Sequence, residues 1–207
     1  MVLPVSATRM ELLNLKKRLA LARRGHKLLK EKQDELMRVI QELLKKVRTL
    51  RREVEREFTQ AIQRFLFARA SMEDFAVEDA LLFPACSFTI DFRKKMVMNV
   101  RIPVFEKHFE GELVTYSFYW TSPELDLALE RLEKMVERLV ELAEYEKALQ
   151  LLADEMEKTR RRVNALEYIL IPNLEDTVKY IQMKLSEMER GNITRLMRIK
   201  DVIRKEG

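Results

Sequence analysis

The side chains that most often carry chemistry are few in this sequence and stand far apart. The 207 residues include one cysteine, Cys86, and two histidines, His26 and His108. Zinc sites need cysteine or histidine at short spacing, and glycine-rich phosphate loops need GxxxxGK[ST] or GxGxxG, and the sequence contains none of these patterns. A lone cysteine also excludes an internal disulfide framework and fits a reducing compartment. We therefore predict no catalytic residue, no metal site and no cofactor.

Acidic side chains are abundant, but their spacing indicates solvated helix faces rather than acid–base catalysis. Glu130 precedes Lys134 by four residues, and Glu133 precedes Glu137 by four, with Arg138 next to it. Residues four apart lie on the same face of a helix, where opposite charges form surface ion pairs. These patterns favour a chain that is not itself an enzyme.

The elements that would position these side chains are long helices. Four glycines and five prolines interrupt a sequence in which 35% of residues are charged, a composition typical of coiled coils. Apolar residues recur at alternating steps of three and four, with eleven of thirteen positions apolar. This heptad seam comprises Leu12, Leu15, Leu19, Ala22, His26, Leu29, Gln33, Leu36, Ile40, Leu43, Val47, Leu50 and Val54. Its two polar members are expected to fix the helix register.

The pattern predicts a change in the seam after Val54. The apolar stripe moves to Phe58, Ile62 and Phe65, two steps of four in a row. Such a shift locally unwinds a left-handed supercoil.

A second helix is predicted from Ser122-Pro123, a favourable N-cap followed by a first-turn proline. Only Pro172 and Gly191 interrupt its apolar stripe. The stripe runs through Ala128, Leu132, Met135, Leu139, Leu142, Leu149, Leu152, Met156, Val163, Leu166, Leu170, Leu174, Ile181, Leu185, Met188, Leu196, Ile199 and Ile203.

The region between the helices alternates with period two, which indicates strands. SFTIDF is followed by the charged RKK, predicted as a turn, and by MVMNVRIPVF, so residues 84–104 are predicted to form a β-hairpin. LVTYSFYW (113–120) is a second candidate for an extended segment. The predicted division of the chain is a helix within 1–72, an insert at 73–122 and a helix within 123–207.

We predict a mainly α fold: a long antiparallel two-helix coiled coil with a short β-hairpin insert at the chain reversal. Each helix must bury its apolar seam, and its neighbour in the sequence is the nearest partner. This arrangement predicts a rod with both chain ends at one tip. It also places residues 9–32 beside 190–206, and Asn164 opposite about residue 49. Pro172 is expected to free the carbonyl of Tyr168 and to kink the helix.

The charges are unevenly distributed. Residues 9–32 hold nine basic and two acidic side chains, and residues 190–206 hold six basic and two acidic ones. Residues 124–160, in contrast, hold six basic and eleven acidic side chains. A basic tip suggests an anionic partner surface. Nucleic acid is one candidate, so a coiled-coil adaptor or a basic nucleic-acid-binding protein is the alternative function. No apolar run is long enough to cross a membrane, so we expect a cytoplasmic protein without direct membrane insertion.

Two blocks resemble the D subunits of the V-type (archaeal and bacterial A/V-type) rotary ATPases. They are RGHKLLKEKQDEL (Arg24–Leu36) and RRVNALEYILIP (Arg161–Pro172), and the resemblance extends over essentially the whole chain. It implies a non-catalytic central rotor axle that couples ATP hydrolysis or synthesis to ion flow. The implied partners are the catalytic A and B subunits, the small central-stalk F subunit and the funnel-shaped C/d subunit on the membrane ring. Nucleic acid is then not a partner, and the protein is peripheral to the membrane as part of the complex.

The same resemblance suggests which residues meet these partners. The expected hexamer contacts are Arg9, Leu12, Leu15, Lys16, Arg195, Leu196, Arg198, Ile199 and Ile203. Asn164, Tyr168 and Pro172 are the expected contacts with a stalk partner such as the F subunit. Alternatively, Pro172 only sets curvature and Asn164 only fixes register. The hairpin either modulates hydrolysis, touches the funnel-shaped subunit or caps the helical hairpin.

Overall fold

The computed structural model describes residues 6–82, 86–117 and 119–206, without the side chains of 202, 203, 205 and 206. The elements are α1 (Arg9–Ser71), α2 (Asp74–Leu82), β1 (Ser87–Val97), β2 (Val100–Glu110), α3 (Pro123–Ala165), a π-helical turn (Leu166–Leu170) and α4 (Ile171–Glu206). Long helices separated by an antiparallel hairpin confirm the predicted fold class. The predicted N-cap of the second helix is also confirmed, because the Ser122 hydroxyl accepts the Glu124 N–H.

The chain folds as two compact units. The first consists of the described residues of Met1–Glu35 and Met156–Gly207, and the second of those of Leu36–Glu155. In the first unit, α1 packs antiparallel against α4 around a core of Leu15, Ala22, Leu174, Val178 and Ile181. Leu12, Leu19, Leu166, Ile171 and Leu185 pack around this core and shield it from water. Each fully buried aliphatic side chain stabilises the pairing by about 1.5–3 kcal/mol.

In the second unit, α1 pairs with α3 through two apolar clusters. Val47 and Val54 pack against Leu142, with Leu50 and Tyr145 at the edge of the cluster. The other cluster joins Ala68 of α1, Ala80 of α2 and Leu125 of α3. The end of α1 is thus held by both α2 and α3.

The predicted shift of the seam after Val54 is wrong. The buried positions continue at steps of seven through Ala61 and Ala68, both with 0% exposure. Phe58 and Ile62, which the prediction placed in the seam, are exposed to 48% and 38%. Phe65, the third predicted member, is half-buried and packs against the cluster around Ala68. Small alanines at the seam let the helices approach closely, and Phe58 and Ile62 beside them are left facing solvent.

β1 and β2 pair over their whole lengths, from Ser87 opposite Glu110 to Val97 opposite Val100. The loop between the strands is Met98-Asn99, with φ values of 49° and 67°, as a type I′ turn requires. The predicted turn at Arg93–Lys95 is therefore wrong, because these residues lie inside β1. The hairpin also extends beyond the predicted residue 104, to Glu110.

The second candidate for an extended segment is also not a strand. The described residues 113–117 and 119–120 form bends, turns and irregular backbone, with no strand among them. Tyr116 is instead anchored by its hydroxyl, which donates a hydrogen bond to Asp126 near the start of α3.

The π-helical turn shifts the buried face of the C-terminal helix by one residue. The Ile171 N–H donates to the Leu166 carbonyl oxygen, five residues earlier. Leu170, predicted in the seam, is exposed, and Ile171 packs against the core instead. Pro172 lacks an N–H, and its ring would clash with the preceding turn of a regular helix, so the wider turn accommodates it.

Candidate interaction surfaces

The predicted contacts near the start of α1 divide into two groups. Leu15 is 1% exposed and belongs to the core of the first unit, and Leu12 packs against that core. Arg9 and Lys16 are exposed. The Arg9 guanidinium donates to Oε1 of Glu189 at 2.6 Å. The apolar members therefore hold the helices together, while Arg9 forms an ion pair across them and Lys16 presents its charge to solvent.

The pairing of α1 with α4 ends at Arg9 and Glu189. The predicted placement of residues 190–206 beside 9–32 is thus wrong, because the register sets this terminal segment of α4 beyond the start of α1. All residues from 190 to 201, and residue 204, are exposed. The side chain of Ile203, a predicted contact, lies outside the described residues.

The terminal segment of α4 combines aliphatic and basic side chains. Leu196 and Ile199 are exposed to 66% and 55%, with Arg195 and Arg198 beside them. An apolar face on a helix with no partner among the described residues of this chain is a surface suited to contact with another protein.

The second predicted surface lies on and around the π-helical turn. Asn164 and Tyr168 are exposed, Tyr168 to 72%, and Pro172 is half-buried. Nε2 of His26 lies 3.3 Å from Oε2 of Glu167, so this part of the chain adjoins residue 26 of α1. The prediction that Asn164 lies opposite residue 49 is therefore wrong.

The π-helical turn also exposes side chains that the sequence pattern placed elsewhere. Ile169 and Leu170 are solvent-exposed together with Tyr168. Interrupting an α-helix with a π turn redirects side chains and is frequent at functional sites. The three residues are consecutive apolar and aromatic positions that face solvent.

The second unit has its own exposed apolar residues near the chain reversal. Phe67 is exposed near the end of α1, and Phe75 and Leu82 are exposed on α2. Tyr119 and Trp120, whose rings meet edge to face at 4.9 Å, are exposed before α3. Large aromatic side chains in solvent are typical of surfaces that bind another protein.

Several charged side chains pair across or along the helices. Arg23 donates to Glu175 in the first unit, and Arg51 to Glu146 in the second. The Lys134 ammonium donates to Glu130, as expected for solvated helix faces, and this hydrogen bond lowers the pKa of Glu130. These pairs fix orientation more than they add stability, because exposed ion pairs contribute little.

In the described ranges, no group of histidine, cysteine, aspartate or glutamate side chains is arranged to hold a metal ion. None of the helices in these ranges contains an apolar stretch long enough to cross a membrane.

Two buried threonines were missed by the sequence pattern. Thr159 and Thr177 both have 0% exposure. The Thr177 hydroxyl donates to the Asn173 carbonyl oxygen at 2.6 Å, whereas Oγ1 of Thr159 has no hydrogen-bond partner among the described residues. The spacing of Thr159 could have indicated its burial, because it lies seven residues after Leu152 and four before Val163, both buried.

The paired helices and the inserted hairpin define the chain as a two-helix coiled-coil protein, and its exposed surfaces are suited to contacts with other chains. Residues 11–201 match the family model that describes the D subunit of ATP synthase. The chain belongs to the ATP synthase D-subunit family.

Curated relatives cover nearly the whole chain. It is 51% identical to the V-type ATP synthase D subunit of Clostridium botulinum (strain ATCC 19397 / Type A), over 100% of this chain and 98% of the relative. It is 50% identical to the protein of the same name from Fusobacterium nucleatum, over 99% and 98%. The corresponding protein of Thermoanaerobacter sp. (strain X514) is 50% identical, over 97% of each chain.

Proposed function

We propose that this chain is the central-stalk rotor axle of a rotary V/A-type ATPase. In this role it transmits torque between the A/B catalytic hexamer and the membrane ion-translocating ring. It thereby couples ATP hydrolysis or synthesis to proton or sodium transport, and it carries no catalytic residue itself. The names of the relatives support membership of such a complex, and the helix pairing supports the mechanical role.

The observation that carries the proposal is the antiparallel helix pairing within each unit. An axle must resist twisting, and two helices resist it when their side chains interdigitate along a seam. The first unit has the core around Leu15 and Ile181, and the second has the clusters around Val54 and Leu125. Sliding one helix along the other would separate these clusters and break the cross-helix ion pairs.

The terminal segment of α4 is the surface that we assign to the catalytic hexamer. It is exposed, aliphatic and basic, and it lies in the same unit as the exposed Lys16 of α1. Aliphatic contacts are non-directional, so they permit rotation within a bearing. The basic residues would be attracted to acidic loops of the hexamer.

The π-helical turn is the surface that we assign to the small stalk F subunit, through Tyr168 and Asn164. A side chain as exposed as Tyr168 supplies both apolar contact and a hydroxyl for hydrogen bonding. The aromatic residues near the chain reversal, Phe75, Tyr119 and Trp120, are suited to the funnel-shaped subunit on the membrane ring. Each assignment gives an exposed apolar surface a partner within one complex.

The test is charge reversal in a reconstituted complex. In Lys16→Glu/Arg198→Glu, two basic side chains with no ion pair among the described residues become acidic. We expect the number of ions transported per ATP hydrolysed to fall several-fold and its salt dependence to change, because electrostatic attraction is screened by salt.

The matched control is Lys45→Glu/Arg52→Glu, which makes the same charge change at exposed positions of α1 in the second unit. This control should transport as many ions per ATP hydrolysed as the unmodified protein. Equal coupling and equal salt dependence in the two double variants, with both complexes fully assembled, would refute the proposed hexamer contact. Failure of the unmodified chain to assemble with the hexamer would refute the rotor role.

A further inference from the structure

The two long edges of the β-hairpin have different surroundings. The outer edge of β2 is held to α3: the Phe105 N–H donates to Oε2 of Glu144 at 2.9 Å. Nearby, the Lys107 ammonium donates to the carbonyl oxygen of Glu137 at 2.6 Å. Among the residues that the structure describes, no further strand pairs with β1. β1 therefore presents an open edge.

The register identifies the unpaired backbone groups of β1. Val97 and Val100 close a two-residue turn, so this pair exchanges both of its hydrogen bonds. Along an antiparallel ladder, such pairs alternate with pairs whose N–H and C=O groups point outward. The pair of Phe92 and Phe105 follows this alternation, because the Phe105 N–H points outward and donates to Glu144. The outward groups of β1 belong to Phe88, Ile90, Phe92, Lys94 and Met96.

The side chains along this edge are unusually apolar for an exposed strand. Phe92 is 67% exposed, and Ile90 and Met96 are also in solvent. A long, open, apolar edge is a template for pairing with another chain, and proteins normally cover or blunt it. An extended segment that adds as a third strand would satisfy the backbone groups and cover these side chains.

The charges around the turn indicate the chemistry of that segment. Arg93 pairs with Glu106 at 3.1 Å. Lys94, Lys95 and Arg101 are exposed and form no ion pair or hydrogen bond with any residue in the described ranges. Three unpaired cations at the end of an open strand favour an acidic partner.

A second copy of this chain fits the edge less well than an acidic segment. β1 carries Arg93, Lys94 and Lys95 against a single acidic residue, Asp91. Two copies paired through β1 would bring like net charge together, which destabilises a strand pair.

We propose that β1 binds an extended acidic segment of another polypeptide by strand addition. The outward backbone groups of β1 supply the hydrogen bonds, and Lys94, Lys95 and Arg101 supply the ion pairs. This binding does not depend on the rotor role, because it uses only the hairpin edge.

The test uses the full chain and a fluorescein-labelled peptide as long as β1 that alternates glutamate and valine. Fluorescence anisotropy should show binding that weakens as salt is added. Phe92→Pro removes one outward N–H and no hydrogen bond within the hairpin. It should bind about tenfold more weakly than Phe92→Ala, which keeps the donor and controls for the lost ring.

The charge contribution has its own matched pair. Lys94→Glu/Lys95→Glu should reduce binding of the peptide, whereas Lys45→Glu/Lys46→Glu, the same change on exposed positions of α1, should not. A version of the peptide with N-methylated backbone tests the hydrogen bonds without altering the protein, and it should also bind about tenfold more weakly.

Three results would overturn the proposal. One is equal binding by Phe92→Pro and Phe92→Ala together with equal binding of the N-methylated peptide. Another is equally tight binding of a lysine–valine peptide. The third is a dimer of the free chain, seen by sedimentation equilibrium, that Phe92→Pro abolishes, since this would assign the edge to a second copy.

Discussion

At the scale of single residues, Thr159 is the one buried side chain in the described ranges whose polar atom lacks a hydrogen-bond partner. Burying an unpartnered hydroxyl costs about 1–3 kcal/mol. Thr177 is equally buried, but its hydroxyl is satisfied by the Asn173 carbonyl. The two threonines therefore form a natural comparison.

We predict that Thr159→Val stabilises the chain. Valine has nearly the same shape and removes the unsatisfied hydroxyl, so the free energy of unfolding should rise by about 1 kcal/mol. Urea unfolding followed by circular dichroism measures the change. Thr177→Val is the control and should give no gain, because it removes a hydrogen bond that is made. A loss of stability in Thr159→Val would show that its hydroxyl is satisfied in solution.

Tyr116 makes stability depend on pH on the alkaline side. Its pKa is raised mainly because burial disfavours the phenolate, and further by the hydrogen bond to Asp126 and the carboxylate charge. A group whose pKa is higher in the folded state stabilises the fold below its unfolded pKa, about 10 for tyrosine. That contribution is lost progressively as the pH rises above the unfolded pKa and through the folded pKa.

We predict that Tyr116→Phe flattens this dependence. The variant should be less stable by about 1 kcal/mol at neutral pH, because it lacks the hydrogen bond to Asp126. Between about pH 8 and pH 11 it should lose less stability than the unmodified chain. Urea unfolding across this range provides the measurement. An identical slope in Tyr116→Phe and the unmodified chain would contradict the assignment.

At the scale of elements, the π-helical turn determines which face of α4 is buried. The positions that pack into the core step from Leu166 to Leu174, eight residues rather than the seven of a regular repeat. With a regular helix, Leu170 and Asn173 would face α1 in place of Ile171 and Leu174. The turn therefore acts as a one-residue insertion that is absorbed locally.

We predict that deleting Leu170 restores a regular repeat and keeps the downstream seam. The cost should come from Pro172, which then lies within a regular helix, and should be about 3 kcal/mol. Adding Pro172→Ala to the deletion should recover most of this loss in urea unfolding. Deleting exposed Arg160 instead is the control and should be more destabilising, because it moves the buried Val163 out of the seam. Equal effects of the two deletions would contradict this role of the turn.

The elements also show why parts of the seam could not be read from the sequence. Hydrophobic periodicity gives most weight to large apolar residues, so it predicted Phe58 and Ile62 in the seam in place of the buried Ala61. Likewise, charge made Arg93–Lys95 look like a turn, while the residues that adopt positive φ are Met98 and Asn99. Small side chains and local backbone conformation carry little weight in hydrophobic periodicity, although they decide these two features.

At the scale of the whole molecule, the order of elements was predictable and the helix register was not. Heptad spacing and the switch to period two suffice for the order helix, hairpin, helix. A seam with a repeat of seven, however, still pairs apolar with apolar residues when one helix slides by seven. In the first unit, specific charge pairs mark the actual register, such as Arg23 with Glu175. The mistaken position of Asn164 follows from this ambiguity, and so does that of the terminal segment of α4.

That terminal segment has a thermodynamic consequence for the free chain. A lone helix of this length is marginal in water, since helices are stabilised mostly by packing. Residues 190–201 bury no side chain, so melting them exposes little new apolar surface and adds little to the heat capacity of unfolding. Their helicity should fade gradually on warming, before the packed seam gives way in a cooperative step.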